Sequence, residues 1–148
     1  LTALIPDIVL TSDVIVGCPG ETTAEFEDTL KVLEEVRFDA LFTFIFSPRV
    51  GTPAANMDYP MLREEKLANF NRLTALQDQI SEETHAAYVG KTVRCLIDGL
   101  SDDARWDLTA RTPGNRLVRV VGDKSAVGQF RDVKITDANK WSLFGELV

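Results

Sequence analysis

The stretch Ile15-Val-Gly-Cys-Pro-Gly-Glu-Thr22 constrains this chain more than any other. It runs a β-branched apolar segment into a glycine–proline turn and then into a helix start. A second apolar segment ends the same way, in Phe46-Ser-Pro-Arg-Val-Gly-Thr-Pro53. Two successive strands therefore carry turn-rich, partly polar loops to one end of a sheet. In α/β folds that is the end where ligands sit.

The pattern around these turns predicts a strand, a helix and a second strand. From Ile8 to Val16 the residues divide at period two. Ile8, Leu10, Ser12, Val14 and Val16 form one mostly apolar face, and Val9, Thr11, Asp13 and Ile15 form the other. Apolar residues on both faces predict a parallel sheet covered on both sides. Thr22-Thr-Ala-Glu25 has the form of a capping box, and Phe26, Leu30, Leu33 and Val36 follow at helical spacing. A strand over Phe38–Phe46 then completes a right-handed parallel crossover. Three prolines make Ser47–Pro60 a loop, and a helix over Met61–Ala87 carries the stripe Leu67, Phe70, Leu73, Leu76 and Ile80 before Gly90 ends it.

After Lys91 the pattern changes to short alternating runs: Thr92–Ile97, Trp106–Arg111, Arg116–Val121, Gln129–Thr136 and Ser142–Val148. Five close-spaced strands separated by turn residues predict a small antiparallel barrel of the OB type. The boundary falls near Tyr88–Gly90, giving domains 1–87 and 88–148. The charge divides along the same line. Residues 1–87 hold 6 Lys/Arg and 15 Asp/Glu, residues 88–148 hold 10 and 8, and the overall −7 separates into −9 and +2. The second domain is the better face for a polyanion.

Other features narrow the class. A hydrophobic content of 45% over 148 residues suits a packed core rather than disorder. No run reaches the roughly 18 apolar residues that a membrane helix needs, and the start has no secretory pattern. The chain opens on Leu1 rather than Met, and Leu1–Asp7 reads like a helix end entering a strand, so a piece of a larger fold is expected. Cys18 and Cys95 fit no metal spacing and point to a cytoplasmic chain with two ordinary thiols, with a disulfide or a cluster ligand as the alternative. A single histidine, His85, builds no zinc site by itself.

Several residues are candidates for chemistry. Asp13, between apolar neighbours, is either a structural carboxylate or a bidentate acceptor for two hydroxyls such as a ribose diol. Gly17, Pro19 and Gly20 permit close backbone approach beside a helix N-terminus. Arg49, at the exit of the second strand, either grips a carboxylate or phosphate or pairs on the surface with a Glu. In the barrel, Arg111, Arg116 and Arg119 flank a Pro-Gly-Asn turn, with Lys134, Lys140 and Trp141 elsewhere; these suit phosphate contact and base stacking, or a mixed solvated surface. Trp106 and Phe130 are expected in the barrel core, and His85 and both cysteines are expected to be structural.

These blocks together resemble the radical S-adenosylmethionine methylthiotransferases. Among these they resemble in particular the tRNA enzymes that thiomethylate isopentenylated adenosine beside the anticodon. Ser12–Thr22 looks like that family's fifth barrel strand and turn, and Phe38–Ala55 like its sixth strand and exit loop. Arg111–Arg116, Val133–Asp137 and Ser142–Glu146 look like its terminal RNA-binding TRAM domain. The implied fold is α/β: the C-terminal portion of a partial parallel (β/α) barrel, followed by an OB-like barrel. The ribosomal-protein and threonylcarbamoyladenosine methylthiotransferases are rivals within the family, and a non-catalytic RNA-binding module is the rival outside it.

The resemblance implies S-adenosylmethionine, two 4Fe-4S clusters and an electron donor, with the tRNA anticodon stem-loop as partner. Asp13 would accept from the cofactor ribose and Ile15 would pack near the adenine. Gly17, Pro19, Gly20, Glu21 and Ser47 would line the cofactor, with Arg49 toward the substrate. Arg111, Asn115, Arg116, Arg119 and Lys134 would meet RNA. The cluster cysteines of the family would lie before Leu1, so this chain is expected to hold no metal and no catalytic residue and to be inactive alone.

Overall fold

The computed structural model describes residues 1–58 and 61–148, which gather into two compact units. Val9–Ile80 form one; Leu1–Ile8 and Ser81–Val148 form the other. The far end of the expected loop, at Pro60, lies outside the described residues.

In the first unit, β1 (Thr11–Val16) and β2 (Ala40–Ile45) pair in parallel, with Thr11 opposite Ala40 and Val16 opposite Ile45. The pairing continues into the exit loop, where the Phe46 N–H donates to the Val16 carbonyl at 2.8 Å. Both strands thus end at the same edge. Between them runs α1 (Thr23–Val36), started by the expected capping box: the Glu25 N–H donates to Thr22 Oγ1 at 3.3 Å, and the Thr22 N–H donates to Glu25 Oε2 at 2.8 Å. At the other end Arg37 takes a left-handed conformation, φ 54°, and its N–H closes on the Leu33 carbonyl.

The helix α2 (Arg63–Ala86) contributes residues up to Ile80 to this unit. Val16, Phe26, Leu33 and Leu73 are fully buried, backed by Val14, Leu30, Leu41 and Phe70. Burial of each such side chain stabilises by about 1.5–3 kcal/mol, so this stripe is what holds α1 and α2 to the sheet. Arg72 clamps the helices from outside through two contacts to Glu27, at 2.6 and 3.1 Å.

Cover on both faces of this sheet, as expected from the sequence, is not seen among the described residues of the unit. The helices cover only the Ser12–Val14–Val16 face of β1. On the opposite face Ile15, Phe42 and Phe44 are 49%, 59% and 54% exposed. Two strands and two helices supply one layer of cover, and the described residues of this unit provide nothing for the second face.

The second unit is a closed barrel of five strands: β3 (Thr92–Leu100), β4 (Leu108–Arg111), β5 (Leu117–Val121), β6 (Phe130–Ala138) and β7 (Leu143–Leu147). They close in the order β3-β4-β5-β7-β6. The expected all-antiparallel barrel is corrected at one seam, because β5 and β7 pair in parallel. The reason is topological: directions cannot alternate all the way around a closed ring with an odd number of strands, so one pair must run the same way. Inward residues alternate along each strand, and Cys95, Ile97, Leu108, Ala110, Val118, Val120, Val133, Ile135 and Leu143 fill the interior. Gly145 is needed where β6 and β7 close: a Cβ there would lie 2.3 Å from the Lys134 carbonyl oxygen. His85, buried in the last turn of α2, meets the Asn139 carbonyl through Nδ1 at 2.6 Å and so fixes the helix end to the β6–β7 turn.

Candidate functional site

Two regions carry the expected site residues, one in each unit. In the first, parallel pairing brings the turns after β1 and β2 to a common edge, with Ile15 between two surface depressions. One, of about 630 Å³, is walled by Ile15, Phe44, Ile45, Ser47 and Arg49. The other, of about 390 Å³, is walled by Ile15, Cys18, Pro19, Gly20 and Glu21. Asp13 lines neither. It lies two residues before Ile15 on the same uncovered face, exposed, opposite Phe42 in the register.

The β1 turn is held by its own acid. One oxygen of Glu21, Oε2, accepts from the N–H groups of both Gly17 and Cys18, the latter at 3.0 Å. A carboxylate bonded to two backbone amides fixes the turn. It also means that these two amides point to Glu21 rather than outward. Gly17 has φ +76°, and a Cβ there would fall within 2.6–2.9 Å of the Lys66 side-chain carbons, so the lysine stem packs directly over it. Burial, and then the neighbouring Glu21 charge, push the Cys18 thiol above its ordinary range against an opposing pull from Lys66. Arg49 and Ser47 are exposed in the loop beyond β2, where the Arg49 carbonyl accepts from Thr52 Oγ1 at 2.7 Å.

On the barrel, the expected RNA-facing residues fall into different settings. Lys134 is exposed on β6 and Asn115 is exposed at a left-handed turn position, φ 62°. Arg111, half-buried, reaches Asp98 and the Asn115 carbonyl, each at 3.4 Å. Arg119 pairs with Asp102 at 2.8 Å and donates to Ser101 Oγ, and this contact holds the Asp102 carboxyl below its usual range. Arg116 departs from expectation: it is only 7% exposed, with its guanidinium 5.4 Å from the centre of the Tyr88 ring. It is therefore buried against the Tyr88 ring instead of facing solvent.

Phe130 departs in the other direction. Expected in the core, it is 61% exposed and borders a depression of about 500 Å³ with Arg94, Leu96, Arg111, Thr112 and Pro113. Trp106 stacks on Phe144 at 4.9 Å between ring centres, half-buried. Trp141 is 71% exposed, with Lys140 Nζ 4.6 Å from its ring.

Among the described residues no three His, Cys, Asp or Glu side chains converge on a point that could hold a metal. Cys18 and Cys95 lie in different units, and Cys95 is sealed in the barrel core. The residues present thus do not fit an iron–sulfur cluster. None of the described helices is long and apolar enough to cross a membrane.

Residues 86–148 match the family model described as TRAM domain. Nearly the whole chain is also similar to curated proteins named tRNA-2-methylthio-N(6)-dimethylallyladenosine synthase. It is 45% identical to the one from Acetivibrio thermocellus, over 97% of this chain and 30% of that protein. The relative from Thermoanaerobacter sp. (strain X514) is 48% identical, over 97% of this chain and 31% of that protein. The relative from Aromatoleum aromaticum is 47% identical over all of this chain and 33% of that protein. The chain spans about a third of the length of these relatives, and the resemblance drawn from its motifs is borne out.

Proposed function

We propose that this chain is the C-terminal part of a tRNA methylthiotransferase that modifies isopentenylated adenosine beside the anticodon. Residues 1–87 then end a partial radical S-adenosylmethionine barrel, and residues 88–148 form the TRAM domain that holds the RNA. The observation that carries this reading is identity of 45–48% over 97% of the chain to proteins bearing that activity in their names. The protein works in the cytoplasm with an electron donor, and the tRNA anticodon stem-loop is its partner.

Within this reading the edge formed by β1 and β2 receives S-adenosylmethionine, which supplies radical chemistry and the methyl group. The donor set suits an adenosine. Asp13 offers a carboxylate for a ribose diol, and Ile15 offers an apolar surface about 6.6 Å further along the same face. Glu21 holds the turn that borders Ile15, Pro19 and Gly20 give that turn its shape, and Ser47 and Arg49 lie on the β2 side. The iron–sulfur ligands come from elsewhere in the longer protein.

The test is made on the full-length enzyme. Asp13→Asn weakens S-adenosylmethionine binding about tenfold, measured by equilibrium titration, in line with the loss of one charge-assisted hydrogen-bonding acceptor. Unchanged affinity returns Asp13 to a structural role. The substrate is decided separately by offering isopentenylated tRNA, threonylcarbamoylated tRNA and ribosomal protein; methylthiolation of either of the latter two alone would overturn the substrate assignment.

A further inference from the structure

The exposed aromatic on the barrel has a setting that a misplaced core residue would not have. Phe130 on β6 is opposite Leu96 on β3, and Leu96 is opposite Arg111 on β4, so one outward row crosses three strands: ring, aliphatic side chain, guanidinium. Arg94 lies two residues before Leu96 on the same outward face, and Pro113 borders the floor. Neighbouring strands are about 4.8 Å apart, which sets the guanidinium of Arg111 within reach of a phosphate attached to whatever rests on the ring.

We propose that this depression is a stacking site for one unpaired nucleobase of an RNA strand, with Phe130 as the platform and Arg94 and Arg111 taking the flanking phosphates. The proposal rests on the reading of the barrel as RNA-binding and names where a single-stranded segment docks. Charge complementarity favours RNA. Two cations rim an apolar floor, and their acidic neighbours hold them loosely: Arg94 is 3.9 Å from Asp132, and Arg111 is 3.4 Å from Asp98. Such long pairs, Arg94 at the surface and Arg111 half-buried, contribute little and yield to a phosphate. Base–aromatic stacking is tolerant of sequence, so the site selects unpaired over paired RNA rather than one base over another. The outer strands of OB-type barrels are suited to this because a pleated surface presents a flat ring to a splayed base.

The test uses the 148-residue chain with two probes. One is a single-stranded RNA heptamer carrying one 2-aminopurine; the other is a blunt RNA duplex of matched sequence. The wild type quenches the heptamer's fluorescence on binding. Phe130→Ala weakens heptamer affinity about tenfold and removes the quench, Phe130→Trp restores both, and neither substitution changes duplex binding. Circular dichroism identifies any variant that has lost its fold, and Phe130→Trp then carries the comparison. Heptamer affinity and quench retained in Phe130→Ala would overturn the stacking site while leaving the RNA-binding reading in place. A wild-type chain that binds neither probe would overturn both.

Discussion

The two thiols show how far environment separates identical side chains. Cys95 has no exposed surface, and burial followed by the nearby Asp132 charge pushes its thiol up to about 11. Cys18 lies partly exposed in the turn after β1. Iodoacetamide at pH 8 therefore modifies Cys18 and spares Cys95 until the barrel unfolds, which mass spectrometry of the native chain reads directly. Equal labelling of both would contradict the barrel core. Individual residues were also where expectation and structure parted. Phe130, expected in the barrel core, faces out, and strand parity gives the reason: Val133 and Ile135 face the core, so Phe130, on the opposite parity, points away from it. Arg116 gave no such signal. Its guanidinium lies over the Tyr88 ring, 28 positions earlier, and no local pattern reports that contact.

At the scale of elements, local chemistry was readable wherever it acts over a few residues. The Thr22–Glu25 capping box could be recognised from spacing alone because both of its hydrogen bonds lie within one turn. Thr22→Ala is predicted to lower the unfolding free energy by about 1 kcal/mol, measured by urea denaturation. A change within error would mean that tertiary packing alone holds α1. The parallel β1–β2 pairing could be anticipated from strand, helix, strand order. The parallel β5–β7 seam could not be seen in any one strand, since it follows from ring closure, a property of all five together. Nor could the open face of the sheet be anticipated. Apolar residues at Ile15, Phe42 and Phe44 ask for cover, and the pattern does not say whether the same chain supplies it.

Across the whole molecule the charge is uneven along the chain: residues 1–87 carry −9 and residues 88–148 carry +2, although the two structural units, Val9–Ile80 and the remainder, are both net negative. A net +2 over residues 88–148 is small, so on the proposed RNA-binding reading affinity comes from local arrangement: Lys134, Asn115 and Arg94 with Arg111 lie on the outer face, whereas Arg116 is buried and Arg119 is paired with Asp102. Modest charge predicts weak binding with a clear salt dependence. The most direct measurement is a fluorescence-anisotropy titration of a labelled, isopentenylated anticodon stem-loop with the 148-residue chain at about 50 and 200 mM salt. Saturable binding that weakens as salt rises is the predicted result. No binding at the lower salt would contradict the assignment of this barrel to tRNA.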